Sequence, residues 1–302
     1  MYQKAILYYR EVGNQEKVSQ VSRNFENLIF VELVEVSKKI TYIFNEGAYM
    51  EERLLFLSGL GSHRLFLKDL NNQLDNLNIV QIDLPGHGLN LDVIVNDLNE
   101  LVEWFKTEIK IYGNKELTIV GHSLGADLLS YLSIKVPQIK NIILLDGGLF
   151  NLEDLDYSSE VEIKDTKNHL ENFQFKNLDE FIESEKDAYK TWNQNLLEAS
   201  TARMTFNLNK QVYELNINEH SILKLLKIRR QINLPTFNQL IDRNILVLLP
   251  QEQDQFILDM KIKNIPSHIS CKTISDSGHD IYIDNPVKVG KEIKSWLSTI
   301  NV

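Results

Sequence analysis

The sequence has a single cysteine, Cys271, among 302 residues, so it cannot form an intramolecular disulfide. A chain of this length buries enough apolar surface to hold a core without one, and a reducing compartment fits that usage best. Long apolar runs are also missing. No segment approaches the roughly 18 consecutive apolar residues that span a bilayer. The opening Met1-Tyr2-Gln3-Lys4 and the following Tyr8-Tyr9-Arg10-Glu11 lack the apolar stretch and small-residue cleavage site of a secretory leader. On these absences the expected location is the cytoplasm, with no integral membrane segment. Nor is there an excess of positive charge: 32 Lys and Arg face 42 Asp and Glu, a net charge of −10. No global basic field draws nucleic acid, and a small molecule is the expected partner. Internal repeats and low-complexity tracts are absent too.

What is present is an alternation. Strand-length apolar runs at 54–57, 79–82, 117–120, 142–145 and 245–249 look buried on both faces. Between several of them the period turns helical: Phe66, Leu67, Leu70 and Leu74, then Ile94, Leu98, Leu101, Val102 and Phe105, then Leu124, Leu128, Leu129 and Leu132. Strand and helix in turn imply an α/β fold, a mostly parallel central sheet with helices on both faces. Near the end, Asn285 can cap a helix, Pro286 suits its first position, and Val289, Ile293, Trp296 and Leu297 give it an apolar face. Segments 29–36 and 40–44 suit an antiparallel pair leading into the sheet, and residues 1–25 have no assigned place. The alternation stops between 150 and 243, where the chain is polar and helix-like at 178–197 and 222–228. Phe173, Phe175, Phe181, Tyr189, Trp192, Phe206 and Tyr213 supply more aromatic surface than a solvated linker carries. The expected organisation is a core domain in two parts, 1–149 and 244–302, interrupted by a helical insertion at 150–243.

The strongest local signal is Leu117-Thr118-Ile119-Val120-Gly121-His122-Ser123-Leu124-Gly125-Ala126, a strand running into Gly-x-Ser-x-Gly and then a helix. In so tight a turn the flanking glycines relieve crowding, and the serine stands above a helix N-terminus that favours developing negative charge. A serine hydroxyl needs a base, and the base needs an orienting acid. Of seven histidines, His279 in Ser277-Gly278-His279-Asp280 follows the strand-like stretch 269–274 and precedes the final helix, which puts it at the carboxyl edge of the sheet. His87 and His122 fit packing or hydrogen-bonding roles beside the site, and His122 is also a candidate for substrate contact. For the acid, the strand at 245–249 runs into Pro250-Gln251-Glu252-Gln253-Asp254, and Asp254 is favoured because catalytic groups gather beyond the carboxyl ends of parallel strands. Glu252 and Asp146 are its rivals. The chain order Ser123, Asp254, His279 points to one fold.

On these residues the sequence resembles the α/β-hydrolase superfamily from about Ile40 onward. Ser58-Gly59-Leu60-Gly61, after the run at 54–57, resembles the family's oxyanion loop, with Ser-Gly where members typically carry His-Gly. The resemblance implies oxyanion-hole N–H groups from Leu60 and Leu124. Asp83-Leu84-Pro85-Gly86-His87-Gly88 resembles its Asp-x-Pro-Gly-x-Gly stretch, and Pro286 to Leu297 resembles its terminal helix. Before Asp254, Pro250 or Gln251 replaces the usual Gly. The insertion resembles the cap that many members carry over the pocket, with Trp192 and Phe181 expected to line or close it. The implied activity is that of a serine hydrolase acting on an acyl compound, a carboxylic ester first, with neither cofactor nor metal. Thioesters, amides, lactones and carbon–carbon bonds are handled by relatives with the same residue set, and a ligand sensor that keeps the pocket is the reading from another class. Ser123 excludes epoxide hydrolysis and dehalogenation, which need a carboxylate nucleophile.

Overall fold

The computed structural model describes residues 53–300, Asn76 excepted. The expected antiparallel pair at 29–36 and 40–44, like residues 1–25, lies outside the described residues. Eight strands occur among them: β1 (Arg53–Leu57), β2 (Asn78–Ile82), β3 (Leu117–His122), β4 (Ile139–Leu145), β5 (Met204–Asn207), β6 (Val212–Leu215), β7 (Asn244–Pro250) and β8 (Ser270–Ile274). Six form one sheet in the order β2-β1-β3-β4-β7-β8, and every neighbouring pair in it is parallel.

The apolar runs are continuous because both faces of this sheet are covered. Successive side chains leave a strand on opposite sides. Leu55 and Leu57 of β1, Ile142 and Leu144 of β4, and Val247 and Leu249 of β7 therefore enter one apolar cluster, while Leu54 and Phe56, Ile143 and Leu145, and Leu246 and Leu248 enter a second. The first cluster is closed by Leu101 and Phe105 of α1 (Leu98–Ile109) and by Leu128 and Leu132 of α2 (Leu124–Lys135).

Four helices and a hairpin occupy the chain between β4 and β7: α3 (Ser159–Asn172), α4 (Leu178–Ala188), α5 (Gln194–Ala202), the antiparallel β5–β6 pair, and α6 (Glu219–Arg229). The hairpin is not visible in the apolar period. Its signal is local: the Asn207 side-chain oxygen accepts the amides of Asn209 and Lys210 at 3.0 and 3.1 Å, an Asx turn that brings the rings of Phe206 and Tyr213 to 4.9 Å. Ile222 and Leu225 of α6 join the first cluster, and Leu196 and Ala199 of α5 join the second. The two remaining long helices are α7 (Gln255–Lys263) and α8 (Pro286–Thr299). As the sequence predicts, Asn285 caps α8 by accepting the Lys288 amide, Pro286 opens it, and Val289, Ile293 and Trp296 bury one face in the second cluster.

Candidate functional site

Two neighbouring strands end in strained turns. Ser123, after β3, and Asp146, after β4, are non-glycine residues at φ 52° and 48°. Sheet pairing runs right up to each: the Ser123 amide donates to the Leu145 carbonyl and the Asp146 amide to the Leu248 carbonyl, both at 3.1 Å. Reversing the chain within one residue costs about 1–3 kcal/mol at each position, and such strain gathers where a side chain must be held in place. The turn at Ser123 also needs its flanking glycines. A Cβ on Gly125 would lie 2.1 Å from the Leu57 carbonyl oxygen, and one on Gly121 would lie 2.7 Å from the Ala126 Cα. Ser123 precedes the first turn of α2, where the leading amides have no intrahelical partner.

His279 lies in the loop after β8. Its backbone is fixed on both sides: the Gly278 amide donates to the Asp284 carboxylate at 2.7 Å, and the His279 carbonyl accepts from His122 Nε2 at 2.9 Å. The ring Nδ1 donates to Asp146 Oδ2 at 2.6 Å, which leaves the Nε2 lone pair available. The other oxygen of the same carboxylate, Oδ1, accepts from the Lys261 ammonium, also at 2.6 Å.

The carboxylate beside His279 is therefore Asp146, not the expected Asp254. Asp254 is exposed and caps α7, its side chain accepting the amides of Phe256 and Ile257 at 2.8 and 3.3 Å. Four orphan amides at a helix start attract a short carboxylate for a purely local reason. Glu252 is exposed as well and pairs with Lys190.

A cavity of about 250 Å³ brings Ser123, Asp146 and His279 together, with Leu60, Arg229 and Lys261 also in its wall. Leu60 belongs to the loop after β1, which is held from below: the Gly61 amide donates to His87 Nε2 at 3.0 Å, and His87 Nδ1 donates to the Pro85 carbonyl at 3.2 Å. Leu124, the first residue of α2, lines the same cavity. His122, Phe181 and Trp192 do not. His122 is buried behind His279, with ring centroids 4.8 Å apart. Phe181 is fully buried against Phe173 and Phe175, under the Arg203 guanidinium. Trp192 packs beside Tyr189 against the second apolar cluster. The expected role of these two aromatics in the pocket thus gives way to packing, the commoner fate of large rings in a thin helical layer.

The electrostatics follow from burial and pairing. Burial pushes the His279 imidazole down, but the hydrogen bond and charge of Asp146, helped by Asp280, outweigh it and carry the ring above its ordinary value. Burial pushes the Asp146 carboxyl up; the hydrogen bond from His279 and the Lys261 charge more than offset this and hold it below the usual carboxylate range. His122 and His87 are lowered by burial, which keeps both neutral. Asp127, one turn into α2, is pushed up to about 6 by burial, against the pull of Arg229 and the Gly148 amide. Arg229 in turn pairs with Glu162 of α3 and lies 3.5 Å from Asp127. Among the described residues no group of three or more His, Cys, Asp or Glu side chains is placed to hold a metal ion. None of the described helices is long and apolar enough to cross a membrane.

Comparison with known proteins agrees with this architecture. A family model described as alpha/beta hydrolase fold matches residues 52–286. The 2-succinyl-6-hydroxy-2,4-cyclohexadiene-1-carboxylate synthase of Enterobacter sp. (strain 638) is 26% identical over 101 residues, which span 33% of this chain and 39% of that relative. The crystal structure of E-2-(acetamidomethylene)succinate hydrolase superposes with a TM-score of 0.66 at 14% identity, covering 82% of this chain and 91% of the other. MenH from S. aureus superposes with a TM-score of 0.63 at 18% identity, over 83% and 95%. At these identities the structural likeness is one of fold.

Proposed function

The chain belongs to the α/β-hydrolase family, and from that premise we propose that it is a serine hydrolase of short, polar acyl compounds, carboxylic esters first, using Ser123, His279 and Asp146. One observation carries the reading: a strained serine shares a cavity with a histidine whose Nδ1 is already committed to a buried carboxylate. Ser123 Oγ attacks the acyl carbon while His279 Nε2 takes its proton. The amides of Leu60 and Leu124 receive the charge that develops on the carbonyl oxygen. His279 returns the proton to the departing alcohol, leaving an acyl-serine. Water then gives a proton to His279 and its oxygen to the acyl carbon, and the proton passes back to Ser123 as the acid leaves. Asp146 stays ionised throughout and stabilises the imidazolium. The insertion, here α3 to α6 with the hairpin, acts as a cap in this reading, contributing Glu162 and Arg229 to the cavity wall.

Short acyl groups are favoured because the cavity holds only about 250 Å³. A polar end is favoured because, beside Leu149, Phe150, Leu152 and Leu226, its wall includes Asp127, Glu162, Arg229 and Lys261, although these charges also pair among themselves and with Asp146. The test is a fluorophosphonate adduct mapped by mass spectrometry, followed by a panel of p-nitrophenyl esters. Modification of Ser123, with acetate and short dicarboxylate half-esters cleaved faster than octanoate, is expected. Labelling elsewhere overturns the mechanism, and a preference for octanoate overturns the substrate class. Neither labelling nor turnover would assign the chain to the ligand sensors.

A pH dependence follows. The base must be neutral, yet Asp146 and Asp280 favour the imidazolium, so kcat/KM is expected to rise with pH through one group whose midpoint lies above the ordinary imidazole value of about 6.5. A midpoint below that value, measured across pH 5 to 9 with a neutral ester, contradicts the pairing of His279 with Asp146.

A further inference from the structure

The hydrolytic scheme gives no step to a buried cation that touches its acid. Lys261 lies in the last turn of α7, 6% exposed, and its ammonium donates to Asp146 Oδ1 and to Gln253 Oε1, each at 2.6 Å. Gln253 is itself anchored, its amide donating to the Pro250 carbonyl at 2.8 Å. A third element of the nest is the Phe150 ring, whose centroid is 6.0 Å from the ammonium. Burying a lysine costs several kcal/mol unless its charge is matched, and here the match is the carboxylate that holds His279. The expected acid, Asp254, contributes indirectly, since it caps the helix that carries Lys261 to Asp146.

We propose that Lys261 is a positioning residue for the reaction: a buried cation that fixes which oxygen of Asp146 faces His279 and limits how tightly that carboxylate holds a proton on the ring. This rests on the hydrolase reading above. A carboxylate with one buried oxygen unpaired could rotate or draw in water; with Oδ1 committed to Lys261, only Oδ2 is left for the imidazole. The charge has a second effect. His279 faces Asp146 at the end of β4, Asp280 and His122 beside it, Asp127 on α2 and Lys261 on α7. Asp146 and Asp280 favour the imidazolium, and Lys261 is among the groups that oppose it, keeping the base usable nearer neutrality.

Two substitutions separate charge from shape. Lys261→Gln keeps a long side chain able to donate to Oδ1 but removes the charge, whereas Lys261→Arg keeps the charge. With the charge removed, the His279 midpoint is expected to move upward by up to about one pH unit, the scale of a single charge acting across a partly screened interior, and with arginine to stay near wild type. The midpoint is read in two ways: from the pH profile of kcat/KM, and by NMR titration of the His279 ring in a Ser123→Ala background, which needs no turnover. An unmoved or lowered midpoint in Lys261→Gln overturns the proposal, as does an equal shift in Lys261→Arg. A fall in kcat and in thermal stability with no change of midpoint does so as well, because it makes Lys261 merely structural. The underlying hydrolase reading fails differently, through a Ser123→Ala protein that still turns over. If Lys261→Gln does not fold, the arginine variant still decides: a midpoint moved by as much as a unit despite the retained charge removes the electrostatic role.

Discussion

Replacing Ser123 by alanine is expected to lower ester turnover by roughly 10⁶-fold, the scale on which removal of an activated serine acts in other hydrolases. The backbone turn survives the change. Ser123 sits at φ 52°, ψ −122°, and its side chain makes no capping bond to α2, so the hydroxyl contributes little to the fold that alanine would forfeit. The strain stays, because alanine meets the same Cβ crowding as serine. Melting temperature should therefore change by no more than about 2 °C, the equivalent of less than 1 kcal/mol for a domain of this size. Activity and stability measured on the same preparation test both halves. Hydrolysis persisting at more than a hundredth of the wild-type rate would move the nucleophile elsewhere, and a large loss of stability would mean that the hydroxyl has a structural partner.

The fold was legible where one physical rule dominates. Strands β1, β4 and β7 are apolar on both sides because the sheet is covered on both sides, and such runs survive in the sequence as uninterrupted apolar stretches, whereas Gln81 and Thr118 interrupt the runs of β2 and β3. The turn at Ser123 was legible because close approach of backbone leaves room only for glycine at 121 and 125. The acid was not. Asp146 and Asp254 follow neighbouring strands, β4 and β7, and both lie at the carboxyl edge. Chain order does not separate them, since both fall between Ser123 and His279, and the expectation of Asp254 rests on its place after the later strand. What decides between them is three-dimensional: a turn at positive φ sets the Asp146 carboxylate against His279, and a lysine 115 residues further along the chain balances its charge. An Asp ahead of Gln255, Phe256 and Ile257 could equally have been read as a helix cap, and that local reading is the one the structure bears out. The aromatics between β4 and β7 mislead for a related reason. Composition implies a packed layer, but it does not distinguish a ring facing a cavity from one, like Phe181, that stabilises the layer around it, or from one as exposed as Phe206.

Asp146→Asn is expected to cost on the order of 10⁴ in kcat, while Asp254→Asn leaves turnover within a few-fold of wild type. The size of the first effect comes from the position of Lys261. In the native protein the carboxylate presents an acceptor to both neighbours, Oδ1 to the ammonium and Oδ2 to His279 Nδ1–H. An asparagine has one acceptor and one donor end. Lys261 has only protons to offer, so it claims the carbonyl oxygen and turns the amide NH₂ toward His279. The ring then accepts at Nδ1, carries its proton on Nε2, and presents Ser123 with a donor where the reaction needs a base. Asparagine has nearly the volume of aspartate, so the cavity and the serine remain in place, and a small phosphonate probe still binds but reacts slowly. The asparagine also removes the charge that raises the imidazole, so the midpoint of the residual pH profile should fall relative to wild type. At position 254 the same substitution exchanges one good helix cap for another, with a stability change of a few tenths of a kcal/mol. A folded Asp146→Asn enzyme with near-normal turnover, beside an inactive Asp254→Asn, would return the acid role to the loop after β7 and require that loop to rearrange when substrate binds.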